Sequence, residues 1–213
     1  MLDKLTLVIG NKNYSSWSLR PWLVLKAISV PFSEIRIALR QPDSKSQILH
    51  HSPAGRVPVL KDGDFAIWDS LAICEYLADR FPEAGLWPDD IMMRAQARSI
   101  SAEMHSGFSE LRTDMPMDIR SHLTKDVSPA TAIDIERILV IWANCRNSVK
   151  TEEPFLFGKF SIADAMFAPV VTRFQTYGVA LDPISMAYSK AILDLPAMQE
   201  WSAAAKTERE TIS

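Results

Sequence analysis

The sequence is poor in cysteine and glycine and carries no strong charge of either sign. Its 213 residues include two cysteines, Cys74 and Cys145, and seven glycines, and the formal net charge is −3. Two cysteines outside any CxxC or Cys/His pattern exclude zinc-finger and dithiol redox motifs, and we predict no metal site. The scarcity of glycine favours helix over an all-β sandwich. The near-neutral charge gives no electrostatic reason to expect nucleic acid as a partner.

Long hydrophobic runs are also absent. No stretch approaches 18 consecutive apolar residues, so no segment is predicted to span a membrane. The apolar run Leu5–Ile9 is too short for a signal peptide, and no cleavage-like site follows it. Two cysteines without an evident partner suit a reducing compartment. We therefore expect a cytoplasmic protein with no membrane partner.

The composition that remains is that of a globular chain with a sizeable core. Apolar residues make up 47% and charged residues 23% of the sequence. Residues 1–80 carry ten basic and eight acidic side chains, whereas residues 81–213 carry thirteen and eighteen. An anionic small ligand is therefore expected to prefer the first part of the chain.

The first eighty residues predict the element order βαβ, short helix, ββα. The unbroken apolar run Leu5–Ile9 predicts a buried strand, and the polar residues 10–18 predict a loop. The first helix is predicted to open at Arg20-Pro21, because proline is tolerated in a first turn. The elements that follow are a strand near 32–39, a short helix over 44–51, a hairpin of strands 57–60 and 65–68, and a helix over 70–80.

The rest of the sequence predicts an all-α bundle. Residues 81–89 contain two prolines and a glycine and predict a linker. No convincing strand pattern follows, and helices are predicted over 90–114, 129–149, 161–175, 185–193 and 196–207. The predicted fold class is an α/β domain over residues 1–81 followed by a helical bundle over 88–213, with Trp142 and Trp201 in its core.

Three separated motifs resemble those of glutathione S-transferases. Residues 52–60 read Ser-Pro-x-Gly-x-Val-Pro-x-Leu and are followed by Asp69-Ser70, as in the glutathione-binding half of that family. Residues 14–20, Tyr-Ser-Ser-Trp-Ser-Leu-Arg, resemble the catalytic loop of its serine-type branch and most of all that of the zeta class. Residues 161–164, Ser-Ile-Ala-Asp, match the capping motif of its helical domain. The resemblance implies a thioredoxin-like domain, a helical domain and a homodimer.

The same resemblance implies an enzyme with glutathione as co-substrate. Its activity would be that of a glutathione transferase, which activates the glutathione thiol for conjugation to a small electrophile, as in detoxification. A glutathione-dependent cis–trans isomerase of the maleylacetoacetate type and a non-catalytic binding module are the alternatives. The zeta pattern has cysteine where this chain has Trp17, which argues against isomerisation.

Ser15 matches the catalytic serine of the family. Its hydroxyl is expected to bond to the glutathione sulfur and favour the thiolate, since a hydrogen bond to the charged form lowers a pKa. The neighbouring Ser16 and Tyr14 are alternatives for this role. Serines at this place in a sequence also serve as ordinary helix caps.

The motif of residues 52–60, with the Asp69-Ser70 pair that follows it, matches the residues with which the family binds the peptide part of glutathione. Asp69 and Ser70 would hold the γ-glutamyl end, although the pair also reads as a plain helix N-cap. Val57 would pair through its backbone with the cysteinyl segment, next to a cis peptide bond at Pro58. Lys45 on the short second helix could reach the glycyl carboxylate.

The electrophile pocket is expected beside Trp17, His105, Arg173 and Tyr177. Arg173 and Tyr177 are one helical turn apart and share a helix face, which suits either binding of a polar electrophile or a surface salt bridge. His105 could equally be an ordinary helix histidine. For the homodimer, the resemblance implies an interface at the start of the first long helix of the bundle, where residues 91–93 are Ile-Met-Met.

Overall fold

A computed structural model describes residues 5–124, 126–149 and 151–212. Four strands form one mixed sheet in the order β2-β1-β3-β4. The strands are β1 Leu5–Ile9, β2 Phe32–Arg36, β3 Val59–Asp62 and β4 Phe65–Trp68. Strand β1 runs parallel to β2 and antiparallel to β3, and it is central and buried, as its apolar run predicts.

Three helices complete this part of the molecule: α1 Ser16–Ala27, α2 Ser44–His51 and α3 Ser70–Arg80. The order βαβ-α-ββα is therefore confirmed. A parallel β1-α1-β2 unit needs a crossover helix, and α1 supplies it. A single 3-10 turn, Pro82–Ala84, follows α3.

Helix α1 begins four residues earlier than the sequence predicts. The backbone N–H groups of Ser18 and Leu19 donate to the Ser15 carbonyl at 3.1 and 3.2 Å, so the first turn forms ahead of Arg20. Pro21 lies inside the helix, where it has no N–H to donate to the ladder. The correction matters for the site, because residues predicted in a loop form the first helical turn.

The second part, over its described residues, contains six helices: α4 Ile91–Ser106, α5 Ser109–Asp114, α6 Pro129–Ser148, α7 Ile162–Tyr177, α8 Pro183–Asp194 and α9 Pro196–Thr207. Among the described residues this part has no strand, only two isolated bridges within 155–159. No helix of the described chain is long and apolar enough to cross a membrane.

The prediction of a single helix over 90–114 is wrong, because α4 ends at Ser106 and a separate helix starts at Ser109. Gly107 is extended, and Phe108 adopts the left-handed conformation at φ +60° with its ring buried. Glycine has low helix propensity, and the buried ring holds the strained residue in place. Helix α5 therefore starts in a new direction, and Arg112 on it donates to the Gly107 carbonyl at 3.0 Å.

One hydrophobic core extends through both parts of the molecule. Trp142 and Trp201 are fully buried in it, as predicted, and so are the unpaired cysteines Cys74 and Cys145. The predicted capping box at the start of α7 is present, with the Ser161 N–H donating to the Asp164 carboxylate at 2.8 Å. Complete burial raises the pKa of Asp164 to about 6.

Candidate functional site

A cavity of about 510 Å³ lies where α1, α3 and α4 meet the turn before β3. Its size is that of a small-molecule site. Nine residues line it: Trp17, Ala54, Arg56, Val57, Pro58, Trp68, Asp69, Ser70 and His105. Six of these nine are among the site residues predicted from the sequence, and they come from four separate segments of the chain.

The N-terminus of α3 forms one wall of the cavity. Asp69 caps the helix, with one carboxylate oxygen accepting from the N–H groups of Leu71 and Ala72 at 2.9 and 3.2 Å. Its backbone is held at φ +75°, a conformation that non-glycine residues seldom adopt. Ser70 is buried directly behind it. Asp69 therefore caps the helix and lines the cavity at the same time, next to Ser70.

The opposite wall is the chain that leads into β3. The peptide bond between Val57 and Pro58 is cis, as the sequence predicts. Val57 is half-buried, and Val59, two residues further on, pairs with Trp68 of β4. This fixes a short stretch of extended backbone along the cavity.

Ser15 is the N-cap residue of α1 and is buried beside the cavity rather than in its lining. Its Oγ lies 2.7 Å from the Oγ of Ser18, and that atom accepts the Gly10 N–H at 3.2 Å. If the Ser18 hydroxyl donates to Ser15, the Ser15 proton is free for another acceptor. The two alternatives are engaged elsewhere: Ser16 accepts from Arg173 at 3.2 Å, and Tyr14 accepts from Arg120 at 2.8 Å.

Three guanidinium groups surround the first turn of α1. The guanidinium carbons of Arg20 and Arg112 lie 4.3 and 4.7 Å from the centre of the Trp17 ring. Arg20 also approaches the Ser70 hydroxyl at 3.4 Å, while Arg173 reaches Ser16 from α7. Within the described chain, none of the three has a carboxylate at ion-pair distance.

Burial and mutual repulsion make this cluster electrostatically costly. Burial first, and then repulsion by Arg112, lowers the pKa of Arg20 to about 9 and that of Arg173 to about 10. Burial likewise lowers the pKa of Arg112, although Asp134 opposes the shift. A bound anion would relieve this repulsion, so the first turn of α1 favours negative charge.

His105 of α4 connects the two parts of the molecule at the cavity. Its Nε2 lies 3.1 Å from the second carboxylate oxygen of Asp69, and its ring meets the Trp17 ring edge-on at 5.2 Å between centres. Burial is the main cause that lowers the His105 pKa; Asp69 opposes the shift, whereas Arg20 and Arg112 act in the same direction as burial. The histidine is therefore part of the cavity wall and not an isolated helix residue.

Besides Ser15, three predicted site residues lie outside the cavity lining. Lys45 is exposed on α2. Arg173 and Tyr177 do share a face of α7, but both are buried, so the surface salt bridge is wrong. The Tyr177 hydroxyl donates to the Pro116 carbonyl at 3.1 Å, and Arg173 donates to the carbonyl of Met115.

The loop before Ser15 is clamped by α9 and the segment that follows it. The Glu208 carboxylate accepts the N–H groups of Lys12 and Asn13 at 2.8 and 3.0 Å. The Trp201 indole N–H donates to the Lys12 carbonyl at 2.8 Å. Asn13 is fully buried and donates to Asp118 at 2.7 Å. Residues distant in sequence therefore fix the backbone on which Ser15 stands.

Sequence reasoning missed the arginine cluster, Ser18 and Glu208. Arg20 and Ser18 belong to the motif of residues 14–20, so that motif could have indicated both of them. Arg112 and Glu208 have no local signal, because their roles depend on contacts across the fold.

Family models agree with this architecture. The N-terminal domain model of glutathione S-transferases matches residues 14–80, and the C-terminal domain model matches residues 100–204. Maleylacetoacetate isomerase of Rattus norvegicus is 30% identical over 192 residues, which are 86% of this chain and 85% of that protein. The chain belongs to the glutathione S-transferase family. The resemblance to its zeta, maleylacetoacetate isomerase-like class is confirmed.

Other members of the family match this chain in part or in fold. A probable maleylacetoacetate isomerase of Caenorhabditis elegans is 35% identical over 96 residues, which span 45% of this chain and only 44% of that protein. The crystal structure of a Burkholderia glutathione transferase homolog, solved with bound glutathione, superposes with a TM-score of 0.73 at 24% identity. It covers 97% of this chain and is itself covered completely. The glutathione S-transferase fold is thereby established.

Replacing Glu208 is expected to loosen the loop that carries Ser15. In Glu208→Ala the N–H groups of Lys12 and Asn13 lose their acceptor, which should cost about 1–3 kcal/mol of unfolding free energy. Amide hydrogen exchange at these two residues should accelerate, and urea unfolding gives the free energy. Glu210→Ala is the matched control, because its carboxylate bonds to the exposed Arg36, whereas the Lys12 and Asn13 N–H groups donate to Glu208. Equal exchange rates in the two variants would contradict the clamp.

Proposed function

We propose that this protein is a glutathione transferase that activates the glutathione thiol and adds it to a small electrophile. The observation that carries the proposal is the cavity in which Trp17, Val57, Asp69 and Ser70 meet. Its chemistry suits a peptide with an ammonium and a carboxylate at one end. The family membership and the bound glutathione in the Burkholderia homolog support the same ligand.

Glutathione fits the polar groups of the cavity. Its γ-glutamyl carboxylate would accept from the Ser70 hydroxyl and the N-terminus of α3, where anions are favoured. Its ammonium would pair with Asp69, and its cysteinyl backbone would pair with Val57 in the manner of an added strand. For the glycyl carboxylate, Lys45 stays the predicted partner; Arg56, which lines the cavity, is the alternative cation.

Activation of the thiol needs stabilisation of its anion, because the thiolate is the nucleophile and a free thiol has a pKa of about 8.5. Three features would supply it: the Ser15 hydroxyl as donor, the N-terminus of α1, and the positive charge of the arginine cluster. Ser18 would support Ser15 by donating to its oxygen. Holding thiolate and electrophile in one cavity then supplies proximity.

The electrophile is proposed to bind on the side of Trp17 and His105. Arg173 and Tyr177 would shape this side from behind, through their contacts with Ser16 and the 115–116 segment. We include a cytoplasmic location and a role in detoxification in the proposal. The division into domains at 1–81 and 88–213 stays a prediction.

Glutathione-dependent cis–trans isomerisation is the second candidate activity, supported by the names of two relatives. The same thiolate would serve it. Trp17, in place of the cysteine of the zeta motif, argues against it. A direct isomerase assay beside a conjugation assay with an aryl halide separates the two, and failure of both despite glutathione binding would favour a binding module.

We further propose a homodimer. Three large apolar side chains at β4 and the start of α4 are mostly exposed: Phe65, Ile91 and Met92. Exposed apolar side chains of this size mark interaction surfaces when they form a patch. Light scattering at micromolar concentration should give twice the chain mass of 23.9 kDa. A Met92→Glu variant should shift the mass towards the monomer, and a monomeric parent protein would contradict the proposal.

Ser15→Ala should raise the pKa of the bound glutathione thiol while leaving glutathione affinity nearly unchanged. Loss of one hydrogen bond to a charged group is worth about 1.5–3 kcal/mol, so the pKa should rise by about one to two units. Conjugation of an aryl halide near neutral pH should fall roughly 10- to 100-fold and recover in part at high pH. The pH–rate profile measures this directly.

Two controls belong to the Ser15 experiment. Ser70→Ala should weaken glutathione binding with a smaller effect on the thiol pKa, because it removes a contact to the γ-glutamyl end. Ser16→Ala should leave the pH–rate profile unmoved. A Ser15→Ala profile that superimposes on that of the parent would disprove the assignment and favour Ser16 or Tyr14.

A further inference from the structure

The two carboxylate oxygens of Asp69 serve different partners. Oδ1 accepts both cap hydrogen bonds of α3, whereas Oδ2 faces Nε2 of His105 at 3.1 Å. Oδ2 is also the oxygen left for the ammonium of glutathione in the proposed binding mode. His105 therefore acts on the atom that the ligand would use.

His105 is surrounded by charged groups, so its protonation changes the charge balance at Asp69. It comes from α4 and contacts Asp69 at the start of α3, and the charges of Arg20 of α1 and Arg112 of α5 also act on it. Its Nδ1 is buried and has no hydrogen-bond partner among the described residues, and its ring packs edge-on against Trp17. One carboxylate thus faces it, together with two guanidinium groups that oppose a further positive charge.

We propose that His105 is a positioning residue for glutathione binding, which it permits when neutral and weakens when protonated. The inference rests on the proposed function, since it concerns the γ-glutamyl subsite of the same cavity. A neutral imidazole donates its Nε2–H to Oδ2 and leaves Asp69 with its full negative charge. A protonated imidazole is itself the counter-ion of Asp69, and the ligand ammonium then meets a cation.

The direction of the pH effect follows from this competition. Protons and ligand oppose each other at Asp69, so glutathione affinity falls as the pH drops through the pKa of His105. The same linkage requires that ligand binding lowers the His105 pKa further. Burial and the two arginines already hold this pKa below its ordinary value, so the neutral form prevails at neutral pH.

A merely structural histidine would behave differently. As a tether between α3 and α4 it would contribute to the unfolding free energy, and its loss would weaken binding equally at every pH. The slope of affinity against pH is therefore the readout that separates the two roles.

The experiment uses S-methylglutathione, because a ligand without a free thiol removes thiol ionisation from the pH dependence. Calorimetry between about pH 5 and pH 7.5 gives the Kd for the parent, His105→Gln and His122→Gln. Glutamine keeps an N–H donor for Asp69 and does not titrate in this range. His122 is exposed and lies outside the cavity lining, so its variant is the matched control.

The parent and His122→Gln should lose affinity up to about tenfold towards the acid end, while His105→Gln should show a nearly constant Kd. In the parent, an NMR titration should show that ligand binding lowers the His105 pKa. The shift should equal the logarithm of the ratio between the Kd values at the acid and neutral ends. This second measurement needs no variant. A constant Kd in the parent, or an equal slope in His105→Gln, overturns the inference and leaves the proposed function standing. No binding at any pH overturns both.

Discussion

Helix α1 is buried along nearly its whole length, with the sheet and α3 on one side and α7 on the other. Trp22 on it meets Trp201 of α9 edge-on at 5.1 Å between ring centres. A helix buried on nearly all sides needs neighbours on all sides, so neither part of the molecule can cover α1 alone. The shared core follows from this, and so does the cavity, which opens where the N-terminus of α1 meets α3 and α4.

The parts of the fold that sequence could predict are those with a local signal. The strand β1 has an unbroken apolar run, the hairpin has a turn between two apolar segments, and α7 carries its own capping box. Most of the cavity lining was also predictable, because Val57, Pro58, Asp69 and Ser70 lie in motifs with fixed spacing. What the motif could not tell is that Ser15 lies behind the lining and bonds to Ser18.

The features that escaped prediction depend on contacts between distant segments. Proline at position 21 suggested a helix start, but packing on both sides extends α1 back to Ser16. Gly107 ends α4 only because the buried Phe108 ring fixes the break, and this break brings Arg112 to Trp17. Glu208 lies 196 positions from the N–H that it accepts at Lys12. No periodicity or spacing in the sequence contains such pairings.

The burial of both cysteines has a consequence for a protein whose chemistry would be directed at electrophiles. Burial raises the pKa of the Cys145 thiol to about 12, and that of Cys74 shifts upward as well. Alkylating agents react with thiolates, and these two side chains are neither ionised near neutral pH nor accessible. Neither cysteine thus offers a thiolate that competes with that of glutathione, so a reactive compound entering the cavity is not expected to inactivate the protein by alkylating Cys74 or Cys145.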